Sequence, residues 1–230
     1  MKKLYAALVP LFAVIAFVAV PAAAQAQPTW EACKEVTKET GKFTTNKCNV
    51  EKVKSNFEWE KIGNLSSALL ADSNNVAGTE AVLTIPALGA EIKCTTIKDE
   101  SWLWNRAAVG RDMNEVLFTV CTALGNINKC TVTVPIEVEA YTKLEEKTGK
   151  IFNVFYPVAG NVFAEITLSG TGCQAPGTSA VEGTASGEMT AHGNKQKFSG
   201  ATLTFDGDPA EFKAETEQEL SPSKGGVRVS

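Results

Sequence analysis

Histidine is nearly missing from this 230-residue chain: His192 is the only one. A zinc site draws on several His or Cys ligands at close spacing, and the six cysteines are better explained as oxidised pairs, so no metal is expected. A Ser-His-Asp arrangement would have to use His192. No serine lies in a G-x-S-x-G elbow, however, and His192 stands between Ala191 and Gly193 in a polar turn. P-loop and dinucleotide glycine fingerprints are missing too, so no cofactor is expected. Basic clusters are also lacking: the formal charge is −4. Nucleic acid and anionic membranes need several convergent Lys or Arg, so neither is an expected partner. After residue 26 no apolar run approaches spanning length, which excludes membrane insertion of the processed chain.

What the chain does have begins with a leader. Met1-Lys2-Lys3 is a positive start, Leu4 to Val20 is apolar, and Ala24-Gln25-Ala26 has the small-x-small form of a cleavage site. The apolar run is 17 residues long and is interrupted by Pro10. That is slightly short of the roughly 20 residues a membrane anchor needs. A lipid anchor would need a cysteine directly after a small-residue box, whereas Trp30-Glu31-Ala32 precedes Cys33. Residues 1–26 are therefore read as a signal peptide, and the location as secreted or cell surface. Loss of Lys2 and Lys3 takes the formal charge to −6. All six cysteines lie beyond the leader, in a compartment where thiols pair and stay paired.

Residues 27–62 are polar and hold Cys33 and Cys48, with 14 residues between them. A bridge there closes a loop, worth roughly 3 kcal/mol in the chain-entropy model. Residues 63–78 are small, polar and turn-rich, and read as a linker or loop. From 79 to 218 short apolar runs alternate with polar residues. The clearest puts Cys130, Val132, Val134, Ile136, Val138 and Ala140 on one face of a strand, with Pro135 marking an edge or bulge. Further strands are expected over 115–121, 152–156, 162–168, 181–190 and 201–205; only 144–148 hints at a helical turn. Regular spacing with Gly, Pro, Asn and Asp between runs predicts an all-β fold, an antiparallel β-sandwich or barrel. Residues 219–230 are expected to fray as a flexible tail.

Six cysteines allow 15 pairings. Proximity favours Cys33–Cys48, then Cys121–Cys130 across a hairpin at Gly125-Asn126, leaving Cys94–Cys173. Exchange of the later pairs to Cys94–Cys121 with Cys130–Cys173 stays open. The order Cys33…Gly41-Lys42-Phe43…Cys48, Ile85-Pro86-Ala87-Leu88-Gly89…Cys94, Cys121…Cys130 and Cys173…Val181-Glu182-Gly183 resembles a loosely defined group of secreted β-rich proteins abundant in soil actinobacteria. The resemblance implies a bacterial origin and a β fold, and carries no assigned activity.

Three patterns invite a chemical reading. Glu137 and Glu139 point the same way from one strand, as a glycosidase pair would, but charged residues belong on a solvent face and no aromatic rim accompanies them. Asp206-Gly207-Asp208 lacks the full calcium loop and reads as a turn. In Ser101-Trp102-Leu103-Trp104 the indoles share a face, which suits stacking on sugar rings, with Asn105 and Arg106 able to add polar contacts. Against this, tryptophan is highly buried on average, which would place both indoles in the core and turn Leu103 outward. Asn64-Leu65-Ser66 fits the N-glycosylation pattern, which matters only in a eukaryotic host. The function expected is non-catalytic: a secreted domain with a binding or structural role, its partner a polysaccharide or a cell-surface protein. The alternatives are a carbohydrate-binding module using Trp102 and Trp104, or a secreted hydrolase.

Overall fold

Period-two alternation becomes an all-β architecture in the computed structural model, which describes residues 27–51, 58–63, 65–190 and 194–230. The expected signal peptide (1–26), His192 and Asn64 lie outside the described residues. The strands, in chain order, are β1 (Trp30–Glu35), β2 (Trp59–Ile62), β3 (Leu69–Asn75), β4 (Ala81–Ile85), β5 (Ala90–Arg106), β6 (Val109–Gly125) and β7 (Thr131–Val132). They continue with β8 (Ile136–Lys147), β9 (Lys150–Pro157), β10 (Val162–Ser169), β11 (Gly177–Met189), β12 (Lys195–Phe205), β13 (Asp208–Leu220) and β14 (Val227–Val229). One short 3-10 turn, Pro86–Leu88, joins β4 to β5.

Antiparallel pairing runs β12-β13-β3-β5-β6-β8-β9-β11, and β11 returns to β12, closing an eight-stranded barrel. Two positions in the wall are filled in relay. Between β13 and β5, β3 occupies one half and β4 the other. Beside β11, β9 pairs with Ala185–Glu188 and β10 with the stretch from Gly177 to Glu182. Because β10 bonds to β11 and β7, no ladder joins β8 to β10 among the described residues.

The interior is layered. At one end Ala71, Leu103, Leu144, Met189 and Leu220 meet Trp30, Ala32 and Val227 from a small sheet, β14-β1-β2, that caps the barrel. At the other end a larger apolar cluster includes Ile97, Val116, Val138, Phe155 and Phe198. Between the two lies a polar layer: Ser73, Ser101, Asp112, Asn114, Thr142, Asn153, Gln196, Thr216 and Gln218 are all buried.

Several expectations are corrected. The 63–78 linker contains β3, whose inward residues Ala71 and Ser73 are small or polar because they face the cap and the polar layer. The single strand expected over 130–140 breaks at Pro135, which has no N–H to donate; β7 joins β10, β8 joins β6, and Val134 is exposed. The 144–148 segment is not helical: Leu144 is an inward residue of β8. The tail 219–230 does not fray. Val227 and Val229 pair with Ala32 and Trp30, and Arg228 donates to the carbonyls of Lys47 (3.0 Å) and Cys48 (2.8 Å). The tail thereby ties the N-terminal loop to the barrel.

Cys33–Cys48 forms as expected, but Cys121–Cys130 and Cys94–Cys173 do not; the bridges are Cys94–Cys121 and Cys130–Cys173. The reason is register. β5 and β6 form one long hairpin turning at Ala107-Ala108, both at positive φ, and the register that pairs Arg106 with Val109 also pairs Cys94 with Cys121. The Gly125-Asn126 segment does not turn back on β6: Asn126 instead donates to the Leu88 carbonyl at 2.9 Å.

Deletion of residues 221–230 exposes the Trp30 cap and removes the buried Val227 side chain. Urea unfolding of the shortened chain should show a loss of about 2 kcal/mol or more. Unchanged stability would mean that the tail contributes no cap.

Candidate functional site

β5 carries the site, and its alternation explains how. Ile97 and Leu103 face inward, so Asp99 and Ser101 between them must face inward as well, while Trp102 and Trp104 face outward. Asp99, Gln196 and Thr216 line part of an internal cavity of about 100 Å³. Its remaining walls are almost wholly apolar. Four phenylalanines line it as a chain of rings: Phe118 to Phe212 at 5.9 Å, Phe212 to Phe198 at 5.6 Å and Phe198 to Phe155 at 5.4 Å. Edge and tilted contacts of this kind hold rings in fixed orientations, so the cavity keeps its shape.

The polar layer behind the cavity is only partly satisfied. Asn153 donates to Asp112 Oδ2 at 3.2 Å, and Gln218 donates to Ser101 Oγ at 2.8 Å. No partner among the described residues reaches Asp99 Oδ1, Asp112 Oδ1, Gln196 Oε1 or Thr142 Oγ1. Burial drives the Asp112 carboxyl up to about 7, against smaller lowering by the Asn153 hydrogen bond and the neighbouring Asn114 amide. Burial likewise raises Asp99, with further raising from the nearby Asp112, Asp72 and Glu100 carboxylates. Asp99 retains accessible surface although protein atoms surround its carboxyl, because the surface it retains faces the cavity. Among the described buried residues none is a lysine, arginine or histidine.

The unlaced seam between β8 and β10 separates the cavity from the outer surface. On the outside it opens as a groove of about 380 Å³ formed by Pro135, Glu137, Val162, Phe163, Ala164 and Glu165. Phe163 and Ala164 line both this groove and the inner cavity.

The residues singled out in the sequence are distributed as follows. Glu137 and Glu139 are both exposed on the same face of β8, and Glu137 also lines the outer groove with Glu165. Their face does have aromatic neighbours, contrary to expectation: Tyr141 follows on the same face and stacks on Tyr156 at 5.1 Å between ring centres. Asp206-Gly207 is a two-residue hairpin turn with both φ positive, docked through Asp206 Oδ1 on the Ala180 N–H at 2.9 Å. Leu103 is completely buried and both indoles are half-buried on the outer surface, so the core placement of Trp102 and Trp104 is reversed. Cross-strand register sets Trp102 in a row with Leu70, Met113, Tyr141 and Tyr156. Sequence reasoning did not single out Asp99, Asp112, Gln196, Tyr141 or Tyr156. The signal for the first two was present as polar residues at inward positions of an alternating run.

No family model, curated protein or solved structure matches this chain.

The buried acids make stability depend on pH. Asp112 holds its proton in the folded state up to about 7, whereas an unfolded Asp loses it near 3.9. The folded state therefore binds more protons across that window, and stability falls as pH rises through it. Glu217 works in the opposite sense: burial raises it, yet Lys47 and Lys195 hold it below its ordinary value, so its contribution is lost only in acid. The melting temperature should fall between pH 5 and 8. Asp112→Asn should flatten that fall and be the more stable protein at pH 8, by up to a few kcal/mol. Parallel pH profiles for parent and variant would show that Asp112 is not the titrating group.

Proposed function

We propose that this chain is an exported, non-catalytic binding protein whose barrel interior holds a small, mostly apolar ligand. The observation that carries the reading is the cavity itself. It has apolar and phenylalanine walls, a polar end formed by Asp99, Gln196 and Thr216, and a seam beside it. Apolar surroundings with a few placed polar groups are what fixes a ligand's orientation in binding sites. An empty void of about 100 Å³ costs roughly 2 kcal/mol, a cost that a fitting occupant removes. Export is supported by the leader and by three disulfides, which suit an oxidising compartment. Among the described residues no helix is long and apolar enough to cross a membrane. The resemblance adds a bacterial setting.

Benzene is a suitable first probe, since a dry apolar cavity of about 150 Å³ accepts it. Thermal melting of the processed chain should rise in benzene-saturated buffer. Ala214→Leu, which places a larger side chain at the cavity wall, should remove that response while keeping the fold. No response from the parent would overturn the reading.

A second reading, carbohydrate binding on the outer face, is favoured by the half-exposed Trp102 and Trp104 and the row that continues to Tyr141 and Tyr156. Indoles at the surface should tolerate truncation, so a Trp102→Ala/Trp104→Ala double variant should keep its circular dichroism spectrum. On insoluble polysaccharides and cell-wall fractions the parent should be retained and this variant washed out. Equal behaviour of the two would end the sugar reading.

A further inference from the structure

We infer that the interior ligand carries an amine, bound as the ammonium ion against Asp99 at the polar end of the cavity. The inference rests on the binding reading above and deepens it. It follows from a chemical imbalance that runs from the outer groove to the cavity. Glu137 and Glu165 flank the outer groove, and no cationic residue lines it. Phe163 and Ala164 stand between the groove and the cavity. At the inner end stands Asp99, with Oδ1 lacking any protein partner, beside Gln196, which is 2% exposed and whose Oε1 is also unpartnered. Asp112 lies close enough to Asp99 to act on it electrostatically, and no buried cation compensates either acid among the described residues.

An acceptor left without a partner in a dry interior is expensive, and a carboxylate far more so. The occupant that satisfies this set must donate hydrogen bonds. An occupant that also carries positive charge satisfies the carboxylate, and acidic groups at the mouth attract it from solution. The apolar walls require the rest of the molecule to be hydrocarbon. A primary amine with a chain of about four carbons fits both the chemistry and a cavity of about 100 Å³. An ammonium ion entering beside a neutral Asp99 displaces the carboxyl proton to solvent, one proton per ligand, leaving an ammonium–carboxylate pair.

The test compares n-butylamine with 1-butanol and butyrate, which share nearly the same hydrocarbon and differ in the head group. Dissociation constants for the processed chain come from ligand-induced shifts in NMR spectra, with benzene as the neutral reference. Butylamine should bind at least about 10-fold tighter than butanol, the margin expected of hydrogen bonds to a charged group, and butyrate should bind weakest. Asp99→Asn should abolish the preference for the amine, bringing butylamine to the affinity of butanol. Benzene binding with butylamine no tighter than butanol would overturn the amine inference and leave the cavity reading standing. If benzene does not bind, the cavity reading itself fails, whatever the other three probes do. Should Asp99→Asn not fold, the comparison among the probes in the parent protein still decides.

Discussion

Closure of the barrel is the constraint on which the rest of this structure depends. Once β11 pairs with β12, the ring of eight strands is closed apart from the seam between β8 and β10, and every second residue of each strand is committed to the interior. That commitment removes the choice a surface strand has of turning a polar residue into water. Asp99, Asp112 and Asn114 are interior because Ile97, Leu103 and Val116 are interior, on the same strands and in the same phase. The small sheet that places Trp30 over Leu103 and Leu144 then closes the end where water would otherwise reach the polar layer.

Three layers follow, and only the outer two are explained by folding. An apolar cap and an apolar core stabilise a barrel by burying surface. The middle layer does not. Well-packed apolar side chains at the positions of Asp99, Gln196 and Thr216 would fill the cavity and remove the unpartnered oxygens, a replacement that is often neutral or stabilising. The polar residues therefore work against local stability where they adjoin a void. A local rule broken without compensation inside the fold is where a functional site is expected. The seam between β8 and β10 has the same character, since a ladder there would strengthen the wall and shut the cavity.

Much of the fold was legible because alternation survives translation into structure. The all-β class, the runs at 115–121, 162–168 and 181–190, and the Cys33–Cys48 loop could be read from residue type and spacing alone. What could not be read was non-local. The Ala107-Ala108 turn carries none of the usual Gly, Asn or Asp chemistry, so the long β5–β6 hairpin was invisible, and with it the Cys94–Cys121 pairing that its register imposes. β3 read as a linker for a related reason: its inward residues are matched to a polar layer that only the closed barrel creates. The tail was misjudged because Val227 and Val229 stand among Pro, Gly, Lys, Arg and Ser, and their partners Ala32 and Trp30 lie almost the whole chain away.

The candidate site was the least legible part, and β5 shows why. Read as sequence, Asp99-Glu100-Ser101-Trp102-Leu103-Trp104 draws the eye to the indoles, and a choice between core and surface for them depends on Leu103 alone. The structure resolves it with Leu103 fully inside. The same phase that exposes Trp102 and Trp104 then forces Asp99 and Ser101 inward. One strand thus supplies an aromatic row to the outer face and an acid to the inner cavity, and a shift of one residue would exchange the two. The Cys94–Cys121 bridge lies on this hairpin, on the cavity side of Asp99. A covalent tie between directly paired residues opposes any such slip. The bridge holds β5 against β6 at the cavity end, while the phase that turns Asp99 inward begins at Ile97, beyond the change of alternation at Thr95-Thr96.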